Sequence, residues 1–153
     1  MEIRRARDDE AAALSAIARA SKAYWPYPAA QIEAWLPDLT LSAQELASNP
    51  AWLAEVGGPI AGFFQLVPEG ETAVLEHLWV LPQYMGRGIG RALMNHAMKC
   101  ALESGARRIS IDADPYAEAF YAACSAETIG KTAAPIPGMP ERVRPQMRLL
   151  LGK

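Results

Sequence analysis

The sequence predicts an α/β domain, a mixed sheet with helices on both faces. Three observations point there. Strand-like segments follow one another between residues 51 and 80, a long helical period runs from about Gly88 to Ser104, and strand and helix patterns alternate again after it. At 153 residues the chain is read as one domain, 1–153, large enough to bury a core without cross-links.

Taken in order, Glu2 to Arg7 reads as a short first strand. Asp8 or Asp9 is placed to cap a helix through about Ser21, on which Ala13, Leu14, Ile17, Ala18 and Ser21 keep a helical period. A second helix is expected from near Pro28 to before Pro37, because proline suits a first turn. Thr40 or Ser42 caps a third, with Gln44 and Glu45 early in it. Ala51 to Val56 and Ile60 to Val67 flank Gly57-Gly58 and read as a β-hairpin, with a further strand from Glu71 to Val80. The long helix carries Ile89, Leu93, Ala97 and Ala101 on one face, with Gly105 at its C-terminal end. Arg108 to Asp112 reads as a strand and Pro115 to Cys124 as a helix. One or two strands follow, the clearest being Gln146 to Leu151. Pro135 to Pro145 holds four prolines and reads as an ordered loop or a mobile flap.

Composition excludes several classes. A net charge of −2 argues against general affinity for nucleic acid or anionic membrane, and the arginines gather only in small groups at Arg4-Arg5, Arg107-Arg108 and Arg142-Arg144. No apolar run is long enough to span a bilayer, and the charged N-terminus is unlike a signal peptide. Cys100 and Cys124 lack metal-ligand spacing and read as small buried residues in a reducing compartment, so no metal is expected and the cytoplasm is the expected location.

The functional signal is the join between strand and long helix, where Gly86, Gly88 and Gly90 alternate with Arg87, Ile89 and Arg91. Glycines at such spacing allow close approach to the main chain. A helix N-terminus there offers amides without internal partners and the positive end of the helix dipole, which together suit a phosphate. The alternative is a helix start packed tightly on its strand. A dinucleotide turn needs Gly-x-Gly-x-x-Gly, but the third glycine is out of register by one and the turn does not follow Val80 directly, although Asp112 ends a strand 22 residues after Gly90. A mononucleotide P-loop fails because no Gly-Lys-Ser/Thr follows.

Leu78-Trp-Val-Leu-Pro-Gln-Tyr-Met-Gly-Arg-Gly-Ile-Gly-Arg-Ala-Leu-Met94 resembles the acyl-CoA-binding segment of the GNAT N-acetyltransferase superfamily, Val-x-Pro-x-Tyr-Arg/Gln-x-x-Gly-x-Gly/Ala, with Met85 at the Arg/Gln position and Gly88 and Gly90 as the motif glycines. The resemblance extends from Glu71 to about Leu151. It implies a mostly antiparallel sheet of six or seven strands, with acetyl-CoA as co-substrate. It implies that backbone amides of Met85, Gly86, Arg87, Gly88, Ile89, Gly90 and Arg91 bind the pyrophosphate. The pantetheine arm would add like a strand along Leu78, Trp79 and Val80. Asp114-Pro-Tyr-Ala-Glu-Ala-Phe-Tyr121 resembles the second motif, Asn-x-x-Ala-x-x-Phe-Tyr. That places Asp114 and Ala117 at the cofactor and makes Tyr121 the general acid for the departing thiolate; the alternative for Tyr121 is core packing. Asp114 replaces the motif's Asn, and Ser125-Ala126 stand where a Gly-Phe pair usually follows.

Acyl transfer to an amine requires the amine to lose a proton, so a base is needed. Strand alternation sets Glu76, Leu78 and Val80 on one face and Leu75, His77 and Trp79 on the other. Family members often carry a base on this strand, which favours Glu76 over an exposed structural carboxylate, with His77 and Asp112 as further candidates. Specificity is assigned to the helices before the first hairpin and to Pro135–Pro145. Tyr24, Trp25, Tyr27 and Trp35 either wall a pocket for a cationic amine or pack the helices on the sheet. The expected activity is N-acetylation of a small-molecule or peptide amine. Rival readings are a non-catalytic acyl-CoA sensor and a dinucleotide-dependent oxidoreductase. Related enzymes are often dimers, so a homodimer is expected.

Overall fold

The computed structural model describes residues 1–152, in two compact units: Met1–Leu66 with Glu76–Ala97, and Val67–Leu75 with the chain from Met98 onward. The strands are β1 (Glu2–Arg5), β2 (Ala51–Glu55), β3 (Ile60–Glu69), β4 (Thr72–Val80), β5 (Arg108–Asp112), β6 (Glu127–Ala133) and β7 (Val143–Leu150). They form one seven-stranded sheet in the order β1-β2-β3-β4-β5-β7-β6. β1 pairs antiparallel with β2, β2 with β3, β5 with β7 and β6 with β7, while β4 and β5 run parallel. The expected mixed, mostly antiparallel sheet is therefore present. No helix among the described residues is long and apolar enough to cross a membrane.

In the first unit the helices are α1 (Ala11–Ala23), α2 (Ala29–Ala34), α3 (Leu36–Leu39) and α4 (Ala43–Ser48), and α5 (Ile89–Glu103) begins there. Leu14, Ile17 and Ala18 of α1 pack with Leu39, Leu41, Leu46, Leu53 and Phe63 in one buried cluster. Burial of each larger side chain contributes roughly 1.5–3 kcal/mol.

One helix start differs from expectation. Neither Asp8 nor Asp9 caps the first helix. A 3₁₀ turn, Asp8–Glu10, precedes α1, and the Glu10 carboxylate accepts the Arg7 N–H at 2.8 Å. Glu10 is also held by Arg4 at 2.8 Å, and this guanidinium brings its pKa down to about 2. The second helix is as expected, α2 starting after Pro28 and ending before Pro37, and a short further helix, α3, follows it. Pro37 falls in the first turn of α3, where its missing N–H leaves no bond unmade, so the chain bends at Trp35 and resumes. The third start is as expected: Ser42 Oγ accepts the Glu45 N–H at 3.1 Å and Glu45 accepts the Ser42 N–H at 3.0 Å. Thr40 instead donates to the Leu36 carbonyl.

In the second unit Ile109 and Ile111 of β5 and Met147 and Leu149 of β7 are buried. The expected helix from Pro115 is a 3₁₀ turn, Pro115–Ala117, leading into α6 (Glu118–Ala123). The proline-rich segment is partly strand: β7 already begins at Val143, and an Ile136–Met139 bridge closes the turn before it. Pro145 lies inside β7 although that strand has neighbours on both sides. Its carbonyl accepts from Ala113 at 2.9 Å, so its nitrogen also faces past Asp112, where the ladder to β5 has ended. No sheet bond is lost there.

Candidate active site

The end of β4 feeds a tight bend. A 3₁₀ turn, Pro82–Tyr84, is closed by Tyr84 N–H to Leu81 O at 2.9 Å and Met85 N–H to Pro82 O at 3.2 Å. The Met85 amide is thus directed inward, which corrects its expected place among the phosphate donors. The amides of Gly86, Arg87, Gly88, Ile89 and Gly90 have no acceptor among the described residues, and the first helical bond is Ala92 N–H to Gly88 O at 3.0 Å. Gly86 and Gly88 have φ of 77° and 82°, a left-handed backbone that disfavours side chains. Nothing lies within 4 Å of where a Cβ would sit on either. The glycines therefore serve main-chain direction at an open surface rather than close packing on a strand. The Arg87 guanidinium lies 5.5 Å from the Tyr84 ring centroid.

The main chain of β4 has a fixed parity here. Leu81 N–H bonds Ala61 O at 2.8 Å, which turns the main-chain groups of Val80 and Leu78 away from β3. Those of Trp79 turn toward it, and a methyl added at Gly62 would collide with the Trp79 carbonyl. Only Leu78 and Val80 of the expected run therefore face off β3. Parallel pairing of β4 with β5 joins Thr72 to Arg108, Ala73 to Ile109 and Val74 to Ser110, and goes no further along β4. The Val80 carbonyl is already engaged by a residue the sequence reading placed only on a helical stripe: Ser21 Oγ, buried near the end of α1, donates to it at 2.9 Å. Ser21 sits on the apolar stripe of α1, the one signal that could have marked it.

Strand alternation holds for the side chains. Glu76 is exposed and has no hydrogen-bond or ion-pair partner among the described residues. His77 is buried on the opposite face, where Nδ1 accepts from Trp79 Nε1 at 3.0 Å and the ring lies 5.8 Å from Phe63. Burial lowers its pKa to about 4. A neutral His77 with Nδ1 engaged is a core residue, and the strand leaves Glu76 as its outward acid–base group.

After β5, side chains are tied inward. Asp112 Oδ1 accepts from Arg144 at 3.0 Å and from Gln146 at 2.9 Å, an ion-pair role that displaces it as a base candidate. Asp114 caps the next turn, its Oδ1 accepting the Tyr116 N–H at 2.8 Å, and Ala117 N–H returns to Asp114 O at 2.9 Å. The other Asp114 oxygen pairs with Arg142 at 3.6 Å. Asp114 was expected at the cofactor; its carboxylate is instead engaged within the chain. Tyr121 is buried on α6 and its hydroxyl has no partner among the described residues. Burial, with Cys124 and Asp114 nearby, pushes its pKa well above the ordinary phenol value. Its proton is therefore in place at neutral pH. The motif's missing glycine is also explained: Ser125 has φ of 76°, the only positive φ outside glycine among the described residues.

The aromatic group near the N-terminus is a packed one. Tyr27 is buried, Trp35 packs against the main cluster, and their rings meet edge-on at 4.9 Å. The cation beside them belongs to the chain: Lys22 Nζ lies 4.5 Å from the Trp35 centroid and 5.3 Å from that of Tyr27. Tyr24 is exposed and packs on Trp25 at 4.9 Å. Both cysteines are free thiols, Cys124 buried and Cys100 partly so. No cluster of His, Cys, Asp and Glu suited to a metal occurs among the described residues.

Comparison with solved structures places this arrangement in a known fold. A GCN5-related N-acetyltransferase from Rhodopseudomonas palustris is 24% identical, with a TM-score of 0.79 over 98% of this chain and 95% of that one. The PaiA N-acetyltransferase of Thermoplasma acidophilum, solved with coenzyme A, is 20% identical, with a TM-score of 0.75 over 97% and 98%. The ribosomal-protein-S18-alanine N-acetyltransferase of Escherichia coli is 16% identical, with a TM-score of 0.75 over 99% and 94%. No curated protein sequence matches the chain. The model of the acetyltransferase (GNAT) family matches residues 14–125, a span that takes in the glycine turn and Tyr121. The chain belongs to the GNAT acetyltransferase family.

Proposed function

We propose that this protein is an acetyl-CoA-dependent N-acetyltransferase acting on a primary amine of a small molecule or peptide, with Glu76 as base and Tyr121 as general acid. The observation that carries the reading is the run of amides from Gly86 to Gly90 that no internal acceptor engages, at the start of a fifteen-residue helix. Such donors suit a pyrophosphate, each charge-assisted bond contributing roughly 1.5–3 kcal/mol. The main-chain groups of Leu78 and the Val80 N–H, which face off β3, suit an extended amide-bearing arm, while the Val80 carbonyl is held by Ser21. The coenzyme A complex of the Thermoplasma protein supports the same co-substrate here, and the alanine named for the Escherichia coli enzyme supports an amine acceptor.

Acetyl-CoA supplies the acyl group as a thioester. Glu76, exposed and unpaired, accepts the proton that an ammonium must lose before it can attack. Tyr121 holds its proton at neutral pH and delivers it to the departing sulfur.

Fluorescence titration with coenzyme A and with NADH tests the binding half. Coenzyme A is expected to bind and NADH not; tight NADH binding overturns the assignment. Thiol release from acetyl-CoA across a panel of amines tests the chemical half. Coenzyme A binding with no turnover on any amine would replace the enzyme by a sensor.

A further inference from the structure

Arg142, which the sequence reading grouped only with other basic residues, is buried together with its partner Asp114. Side-chain exposure is 6% for Arg142 and 9% for Asp114, with Nη2 3.6 Å from Oδ2. Its Nη1 donates to the Ala134 carbonyl at 3.1 Å, and Ala134 N–H bonds Arg142 O at 3.0 Å. One guanidinium therefore fastens both ends of the 134–142 loop to the residue that caps the turn leading to Tyr121. A buried ion pair behaves as a unit. Loss of one partner strands a charge, whereas neutral residues at both positions are tolerated. The related motif carries a neutral Asn where this chain has Asp114, and a neutral residue needs no counter-ion.

We infer that Arg142 is a positioning residue: through Asp114 it couples the 134–142 loop to the Pro115–Ala123 segment, so that the loop and the Tyr121 phenol hold one fixed relation. This rests on the role proposed for Tyr121. A displacement of the loop, which the sequence marks as a specificity element, is then transmitted to the acid.

A double-mutant cycle with Arg142→Gln and Asp114→Asn tests the coupling. Each single change is expected to lower kcat about ten- to a hundredfold while the KM for acetyl-CoA moves less than about threefold. The double variant, neutral at both positions and still able to cap through Asn, is expected to return to within about threefold of the parent. Hydrogen exchange is read in parallel. In Arg142→Gln it should speed in both 134–142 and 115–123. Additive losses in the double variant, or faster exchange in the loop with 115–123 unchanged, overturn the inference. A parent protein that turns over no amine, yet shows the coupled exchange, overturns instead the reading of its function.

Discussion

Of the turns that hold a residue in the left-handed backbone region, two do opposite things. Gly88, after β4, has φ of 82°, and Ser125, after α6, has φ of 76°. Around Ser125 the main chain is satisfied from within: Ser125 N–H bonds Ala122 O and Ala126 N–H bonds Tyr121 O, each at 3.0 Å. This is a helix ending that closes on its own carbonyls. Around Gly88 the amides of the neighbouring residues find no internal acceptor. A left-handed turn is therefore not in itself a binding site. What distinguishes the two is whether their donors are engaged within the chain, and the roles proposed for the two regions follow that difference.

Three substitutions separate these roles. The largest effect is expected from Tyr121→Phe, which removes the hydroxyl proposed as general acid. Steady-state kinetics should show kcat lower by about 10²–10⁴-fold with little change in coenzyme A affinity. Unchanged kcat would return Tyr121 to a packing role. Gly88→Val should give the reverse profile. A Cβ would meet nothing there, but a β-branched residue disfavours that backbone angle, so the turn must shift and its donors lose direction. Loss of one such bond predicts a Kd for coenzyme A raised roughly ten- to a hundredfold by titration, with the fold retained. Unaltered affinity would remove the turn from the site. The smallest effect is expected from Ser125→Gly. It relieves a left-handed serine at the cost of a more flexible unfolded chain, so denaturation should show a gain of about 0.5–1 kcal/mol and kinetics no change. A loss of stability would mean that the serine hydroxyl, not the backbone, matters at that turn.

Legibility followed the range of the interactions. β5 was readable to the residue, and the Ser42–Glu45 capping box was readable because both partners lie within one turn. Glu76 and His77 were assigned to opposite faces by the two-residue period of a strand. Failures came where a local rule admitted two outcomes. Asp8 and Asp9 both looked placed to cap the first helix and neither does, and Met85 spends its amide on a 3₁₀ turn rather than joining the donors beyond it. Other failures came where partners are distant in sequence. Asp112 and Asp114 looked available as site residues until Arg144 and Arg142 were seen beside them.

By itself the sequence determined the order of strands and helices, the glycine turn and the family resemblance. Each of these rests on spacing along the chain, where glycine conformation, helix period and strand alternation act over a few residues. Only the tertiary structure decided which donors and carboxylates remain outward. Whether an amide, a carboxylate or a phenol is engaged depends on groups brought from far along the chain: Ser21 to Val80, Arg142 to Asp114, Arg144 to Asp112. A hydrogen bond or ion pair is made by proximity in space, and no period in a sequence encodes that.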